Sequence, residues 1–245
     1  RQAVKRAMTV FVTMLVLACA PALAHAVGVN LGWNECIGGG GATNRNSTCA
    51  SNLGINVLYG SFVPPAGMTN VKSLEVVVDL LTQDPGFTPW WGIRGIGACR
   101  IGLQVSSDMN GQPGCSDYLR GLAGAGTTTF TKGFAGMNDR ARIVTTFVMD
   151  STQALPMDPA REYYAVRYTI LNVNTVGGSA CGGCEEPACL VLNSVKLVQS
   201  GDLPSVVLSG PVSSDVATWQ GGLPGNCALV PVRNRTWGGL KSLYH

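Results

Sequence analysis

Three cysteines stand close together in Ser179–Val191, SACGGCEEPACLV: Cys181 and Cys184 as a C-x-x-C pair, with Cys189 soon after. Thiols at this spacing can shuttle electrons, hold zinc or form disulfides. Redox chemistry wants the pair at a helix N-terminus, where the dipole lowers a thiol pKa. Here the pair brackets Gly182–Gly183, between two strand-like segments, with Glu185 and Glu186 alongside. Acidic neighbours raise a thiol pKa and work against a nucleophilic thiolate. A structural zinc site wants a fourth thiolate; Cys227 is the candidate, but sites with four thiolates usually come as two paired knuckles. A staple of disulfides is the reading that remains, with no metal and no cofactor.

Carboxylates and aromatics supply the other candidate chemistries. Glu75 and Asp79 lie four apart on one expected strand, Asp84 follows in a turn, and Asp150, Asp158 and Glu162 flank another. A glycosidase needs two carboxylates about 5–9 Å apart, and nothing in this spacing favours that over solvated strand faces. Asp108, Asn110 and Gln112 alternate as in part of a calcium loop, but lack its glycine spacing and terminal Glu. In FTPWWGIRGIGACR, Trp90 and Trp91 adjoin Arg94 and Arg100. On a strand the two indoles would point to opposite faces, one into the core and one outward as a platform for a sugar ring or another partner. The competing expectation packs both under a local disulfide loop.

Histidine narrows the field further. Of 245 residues only His25 and His245 are imidazoles, so the expected folded body has none. Ser-His-Asp and Cys-His catalysis and the commonest zinc ligand are therefore excluded from it. No catalytic residue is assigned.

The first residues explain much of the composition. Lys5 and Arg6 precede an apolar run from Thr9 to Ala20, and Ala24-His25-Ala26 has the small-x-small pattern of a signal-peptide cleavage site. Residues 1–26 are thus predicted to be a secretory leader and 27–245 a single domain, secreted or held at the cell surface. Arg1 stands where a Met would start a chain, and Met8 is the expected start. A rival reading takes Val16-Leu17-Ala18-Cys19 as a lipobox, with Cys19 lipidated. The formal charge of +3 is accounted for by Arg1, Lys5 and Arg6 of the leader. The remainder is neutral and gives no electrostatic case for nucleic acid. No segment after the leader is long enough for a membrane span.

Cys36, Cys49, Cys99, Cys115, Cys181, Cys184, Cys189 and Cys227 remain once Cys19 is set aside. An even number in an exported chain predicts four disulfides, and eight cysteines allow 105 connectivities. Two short closures are favoured, Cys36–Cys49 and Cys99–Cys115; the last two bonds join Cys181, Cys184, Cys189 and Cys227, with Cys184–Cys189 and Cys181–Cys227 as one arrangement. A loop of about fifteen residues contributes about 3 kcal/mol in the chain-entropy picture, against a backbone that 32 glycines make costly to order.

Between glycine-rich clusters run short segments rich in β-branched and aromatic residues: 54–63, 73–81, 141–149, 162–171, 189–198 and 205–210. In 162–171, alternation puts Tyr164, Val166, Tyr168 and Ile170 on one face and Arg167 and Thr169 on the other. GLAGAGTTTFTKG reads as a loop leading into an edge strand. The fold class is all-β: a single β-sandwich, jelly-roll-like or Ig-like, with disulfide-pinned loops and at most a short C-terminal helix around Trp237, Leu240 and Leu243.

The segments GWNEC, SFVPP, PWWGIRGIGACR, CGGCEEPACLVLNSVKLVQ, TWQGG and TWGGLKSLY resemble those of a group of uncharacterised exported bacterial proteins. The resemblance implies export and a disulfide-stapled β-rich body, and supplies no catalytic residue. The sequence therefore points to a non-enzymatic extracytoplasmic structural or adhesion module, with a glycan or surface protein as partner, or self-association. The alternatives are a carbohydrate- or other ligand-binding domain and, behind it, a carboxylate-based hydrolase. An exposed aromatic platform would favour the second, facing carboxylates in a cleft the third, and an open edge strand the first.

Overall fold

Alternating polar and apolar residues suit a strand that lies half against a core, and strands occupy most of the periodic segments. The computed structural model describes residues 26–223 and Cys227. Its strands are β1 (Gly28–Trp33), β2 (Asn44–Arg45), β3 (Ile55–Val63), β4 (Val71–Thr82), β5 (Leu103–Ser106), β6 (Ala123–Lys132), β7 (Arg140–Met149), β8 (Tyr163–Leu171), β9 (Ala188–Gln199), β10 (Val206–Leu208) and β11 (Val216–Trp219). The fold is an all-β sandwich. One sheet runs β1-β3-β8-β5; the other runs β2-β11-β9-β4-β7-β6, with β10 also on β9. Among the described residues no helix is long and apolar enough to cross a membrane. The expected C-terminal helix falls outside them.

The inner faces supply the core. Ala141, Ile143, Thr145, Phe147 and Met149 alternate inward from β7, and Leu74, Val76, Val78 and Leu80 from β4. Leu58 and Phe62 of β3 meet them from the other sheet. The Thr145 hydroxyl lies 3.1 Å from that of Tyr168, joining the two layers.

Tyr164 departs from the expected alternation. The β3–β8 register passes from Gly60↔Val166 to Ser61↔Tyr164, leaving Ala165 as the extra residue of a bulge. A bulge reverses facing. Val166, Tyr168 and Ile170 therefore join the main core, while Tyr164 turns outward to Tyr59, Met109 and Cys36.

The disulfide pairing also departs from expectation. The bonds are Cys36–Cys115, Cys49–Cys184, Cys99–Cys181 and Cys189–Cys227; none of the expected pairings forms. Each bond spans 38 to 135 residues, because the sandwich brings loops from distant parts of the chain to the same place. In the chain-entropy picture, loops of these lengths contribute about 4–5 kcal/mol each, more than the short closures would.

Candidate functional site

Pro89 fixes the first residue of a 3-10 turn, Pro89–Trp91, which follows Thr88. Three residues per turn send the Trp90 and Trp91 side chains inward together, so they do not divide between two faces as a strand would require. Both have no exposure, and neither do Trp33 and Trp219. Trp90 stacks on Trp219 with ring centroids 5.0 Å apart, and Trp91 meets both rings edge-on. Trp90 donates its Nε1 hydrogen to Thr175 Oγ1 at 3.0 Å, Trp219 to the Cys184 carbonyl at 2.7 Å, and Trp33 to that of Thr218 at 2.9 Å. The Trp91 Nε1 has no partner among the described residues.

Arg100 closes this cluster from the far side of Trp90. Its guanidinium lies 3.5 Å from the Trp90 ring centroid and donates to the Trp90 and Leu171 carbonyls. Only 2% of Arg100 is exposed, and Nη2 is without a partner among the described residues. Burial pulls its pKa down to about 9. A surface platform formed by Trp90, Trp91, Arg94 and Arg100 is thus corrected: Trp90, Trp91 and Arg100 are interior, and Arg94 is half-buried.

The C-x-x-C loop lies over the indoles. The Gly182 carbonyl accepts from the Trp90 backbone N–H at 2.9 Å. Gly183 has φ +96°, and a Cβ there would stand 2.0 Å from Thr88 Cγ2; only glycine fits. Cys181 and Cys184 tie the loop to Cys99 and Cys49. Neither sulfur is a free thiol, so the spacing that suggested chemistry serves here to hold down a lid. Beside the loop is a depression of about 310 Å3, walled in part by Thr175, Ala180, Glu185 and Glu186.

The carboxylates are spread over the molecule. Asp79 is fully buried and takes two hydrogen bonds from Arg142, at 2.6 and 2.8 Å. Glu75 lies on the outer sheet face, in register with Thr146 and Lys196. Asp84 accepts from the Gly86 N–H, Asp108 from that of Asn110, and Asp158 from that of Ala160. Asp150 accepts from the backbone N–H and the hydroxyl of Thr152, which lower its pKa.

Glu162 and a carboxylate the sequence did not suggest, Glu35 of the GWNEC segment, each hold the chain near the Cys36–Cys115 disulfide. Glu162 accepts from Asn30 at 2.9 Å, Ser61 at 2.5 Å and the Gly38 N–H at 2.9 Å. Glu35 accepts from the Cys36 N–H at 2.8 Å and from the Tyr164 hydroxyl. Burial, then that bond to Glu35, pushes the Tyr164 phenol up from its ordinary value. A cavity of about 380 Å3 adjoins Glu162, between Gly38, Gly114 and Arg161. Both oxygens of Glu162 are occupied by protein donors, an arrangement that anchors the Cys36–Cys115 loop. Cys36 Sγ, Cys115 Sγ and a Glu162 oxygen do fall within 4.8 Å of one another. The sulfurs are bonded together, however, and a disulfide offers a metal no thiolate.

The open feature is β6. It borders β7 on one side only, at the end of the larger sheet. The Gly133 N–H donates to the Arg140 carbonyl at 2.9 Å, which sets the ladder's alternation. From it, Gly126, Thr128, Phe130 and Lys132 aim their N–H and C=O groups away from β7. Among the described residues none of these groups has a hydrogen bond outside the ladder. Thr128 and Phe130 turn their side chains toward the core, and Thr127, Thr129 and Thr131 are exposed on the outer face. The sequence expectation of an edge strand here holds; the strand takes in Ala123–Gly126 as well.

No protein-family model matches the chain, and no curated protein matches its sequence. Among solved structures it is similar to the cohesin module from the family 33 glycoside hydrolase of Clostridium perfringens, at 6% identity over 79% of this chain and 94% of that one, TM-score 0.32. It is also similar to the sixth cohesin from scaffoldin B of Acetivibrio cellulolyticus, solved with Cel5 dockerin, at 9% identity over 78% and 97%, TM-score 0.36. A third is ACE19, the collagen-binding subdomain of the Enterococcus faecalis surface protein ACE, at 8% identity over 72% and 92%, TM-score 0.25. Likeness of this degree carries no site residue and no partner over to this chain.

Proposed function

We propose that this protein is a non-enzymatic extracytoplasmic structural or adhesion module that engages its partner by strand addition along β6. The observation that carries this is the open edge: a ten-residue strand without proline or charge before Lys132. Strand addition supplies affinity through main-chain hydrogen bonds and selectivity through alternate side chains. Four disulfides suit an oxidising compartment outside the cytoplasm. The carbohydrate-binding alternative is weakened because Trp33, Trp90, Trp91 and Trp219 present no face to solvent.

The test is retention on the outer surface of the cells that export the protein, comparing wild type with Thr128→Pro and Thr129→Lys. Thr128→Pro removes an outward N–H without touching the β7 ladder, and Thr129→Lys charges the edge. Both variants are expected to be retained at least about ten-fold less, with melting temperatures near that of wild type. Undiminished retention of both would overturn the reading.

A further inference from the structure

We propose that the strand added to β6 is the β6 of a second copy of this chain, laid antiparallel about a two-fold axis at Thr128. This deepens the proposed function and rests on it. Sheet edges are ordinarily blunted by shortness, cover or charge, and the other edges here are. β1 is flanked by the segment at 210–214, through Val29 N–H to the Gly210 carbonyl at 3.0 Å and Leu31 N–H to that of Ser214 at 2.8 Å. β5 has four residues, and β2 has two, one of them Arg45. β6 alone is long and nearly uncharged, and among the described residues no backbone hydrogen bond reaches its outward groups.

Its sequence suits itself. Antiparallel pairing about Thr128 sets Thr128 against Thr128, and Gly126 against Phe130 in both directions. The outward groups of these residues would exchange about six hydrogen bonds. Gly126 leaves the space that the opposing Phe130 ring needs. On the outer face Thr127 meets Thr129, a favourable cross-strand pair. Charge fixes the direction. Parallel pairing would set Lys132 against Lys132, whereas the antiparallel pair places each opposite Gly124, about 27 Å from the other. A C2 contact of this kind is self-closing. Gly95, whose φ of +101° favours glycine, brings the neighbouring loop to this edge, where a Cβ would make an ordinary contact of 3.9 Å with the Phe130 carbonyl oxygen; the second strand must pass beside it. Ile96, next in that loop, is fully exposed in the single chain.

The test combines sedimentation over a range of protein concentrations with residue-resolved amide exchange, on the exported protein with its disulfides intact. The expected result is a mass that doubles with concentration. Protection of the Gly126, Thr128 and Phe130 amides should rise in step, while β7 amides stay protected throughout. Thr128→Pro and Thr129→Lys should each raise the dimer dissociation constant at least about ten-fold. A monomer at every concentration, or a dimer indifferent to both variants, would overturn the proposal. Loss of cell-surface retention in the variants of a monomeric protein would overturn it too, while leaving strand addition by a different partner intact.

Discussion

Trp90 and Trp91 show how backbone type decides what a side chain can do. On a strand one indole would have been free for a ligand; on a 3-10 turn both are committed to the core, beside Trp219 and under the Cys181–Cys184 loop. Trp90→Ala and Trp91→Ala should each lower stability by roughly 3–5 kcal/mol, read by thermal or denaturant unfolding. A shift below about 0.5 kcal/mol in either, the usual range for a surface residue, would overturn the core assignment. Phenylalanine should separate the two positions. Trp91→Phe removes an N–H that has no partner among the described residues, whereas Trp90→Phe also leaves the Thr175 hydroxyl without its donor, so the second change should cost more. Ionisation adds a pH dependence. Burial raises the phenol pKa values of Tyr59, Tyr118, Tyr164 and Tyr168. From about pH 10 upward the unfolded chain loses these protons while the folded one retains them, so stability contributed below pH 10 is lost as pH rises. Arg100 acts in the opposite sense from about pH 9, where the folded chain is the first to lose a proton. Four groups oppose one, and the net expectation is a falling denaturation midpoint between pH 10 and 11. Tyr168→Phe should flatten that fall. An unchanged slope would show that this phenol does not contribute.

Disulfides belong to the scale of elements, since each ties one loop to another. Mass-spectrometric mapping of unreduced digests should recover Cys36 linked to Cys115, Cys49 to Cys184, Cys99 to Cys181 and Cys189 to Cys227. Linked Cys36–Cys49 or Cys99–Cys115 peptides would refute this arrangement. Thiol titration of the denatured, unreduced protein should find none of the eight free, and reduction should lower the melting temperature strongly. The strands themselves were legible, because alternation of β-branched and polar residues is a local property: 73–81 became Val71–Thr82 and 141–149 became Arg140–Met149. The bonds were not legible, because nearness in sequence says nothing about loops that a sandwich brings together. Tyr164 misled for a related reason. One extra residue at Ala165 reverses facing, and no composition signal marks a bulge. The open edge was legible in part: the uncharged Gly/Thr run suggested it, but freedom from cover is known only once the neighbours are placed. Glu35 could have been noticed only by its proximity to Cys36, whose loop it anchors.

For the molecule as a whole, the leader expected from the sequence ends close to where the sandwich begins. β1 begins at Gly28, two residues beyond the expected cleavage after Ala26, so intact-mass analysis of exported protein should find Val27 first. A mature chain beginning at a lipid-bearing Cys19 would replace that outcome with membrane anchoring. The sheet order has a further consequence for biogenesis. β4 lies between β7 and β9, and its register with β9 joins Thr82 to Ala188 and Val71 to Gln199. The ribosome therefore releases β1 to β8 before β9, the strand that joins β4 to β10 and β11, exists. Pairings so distant along the chain form slowly, and the reduced cytoplasm withholds all four cross-links. For an exported chain, late synthesis of β9 would leave the larger sheet unfinished while the polypeptide is threaded, and cross-linking would wait for the oxidising side.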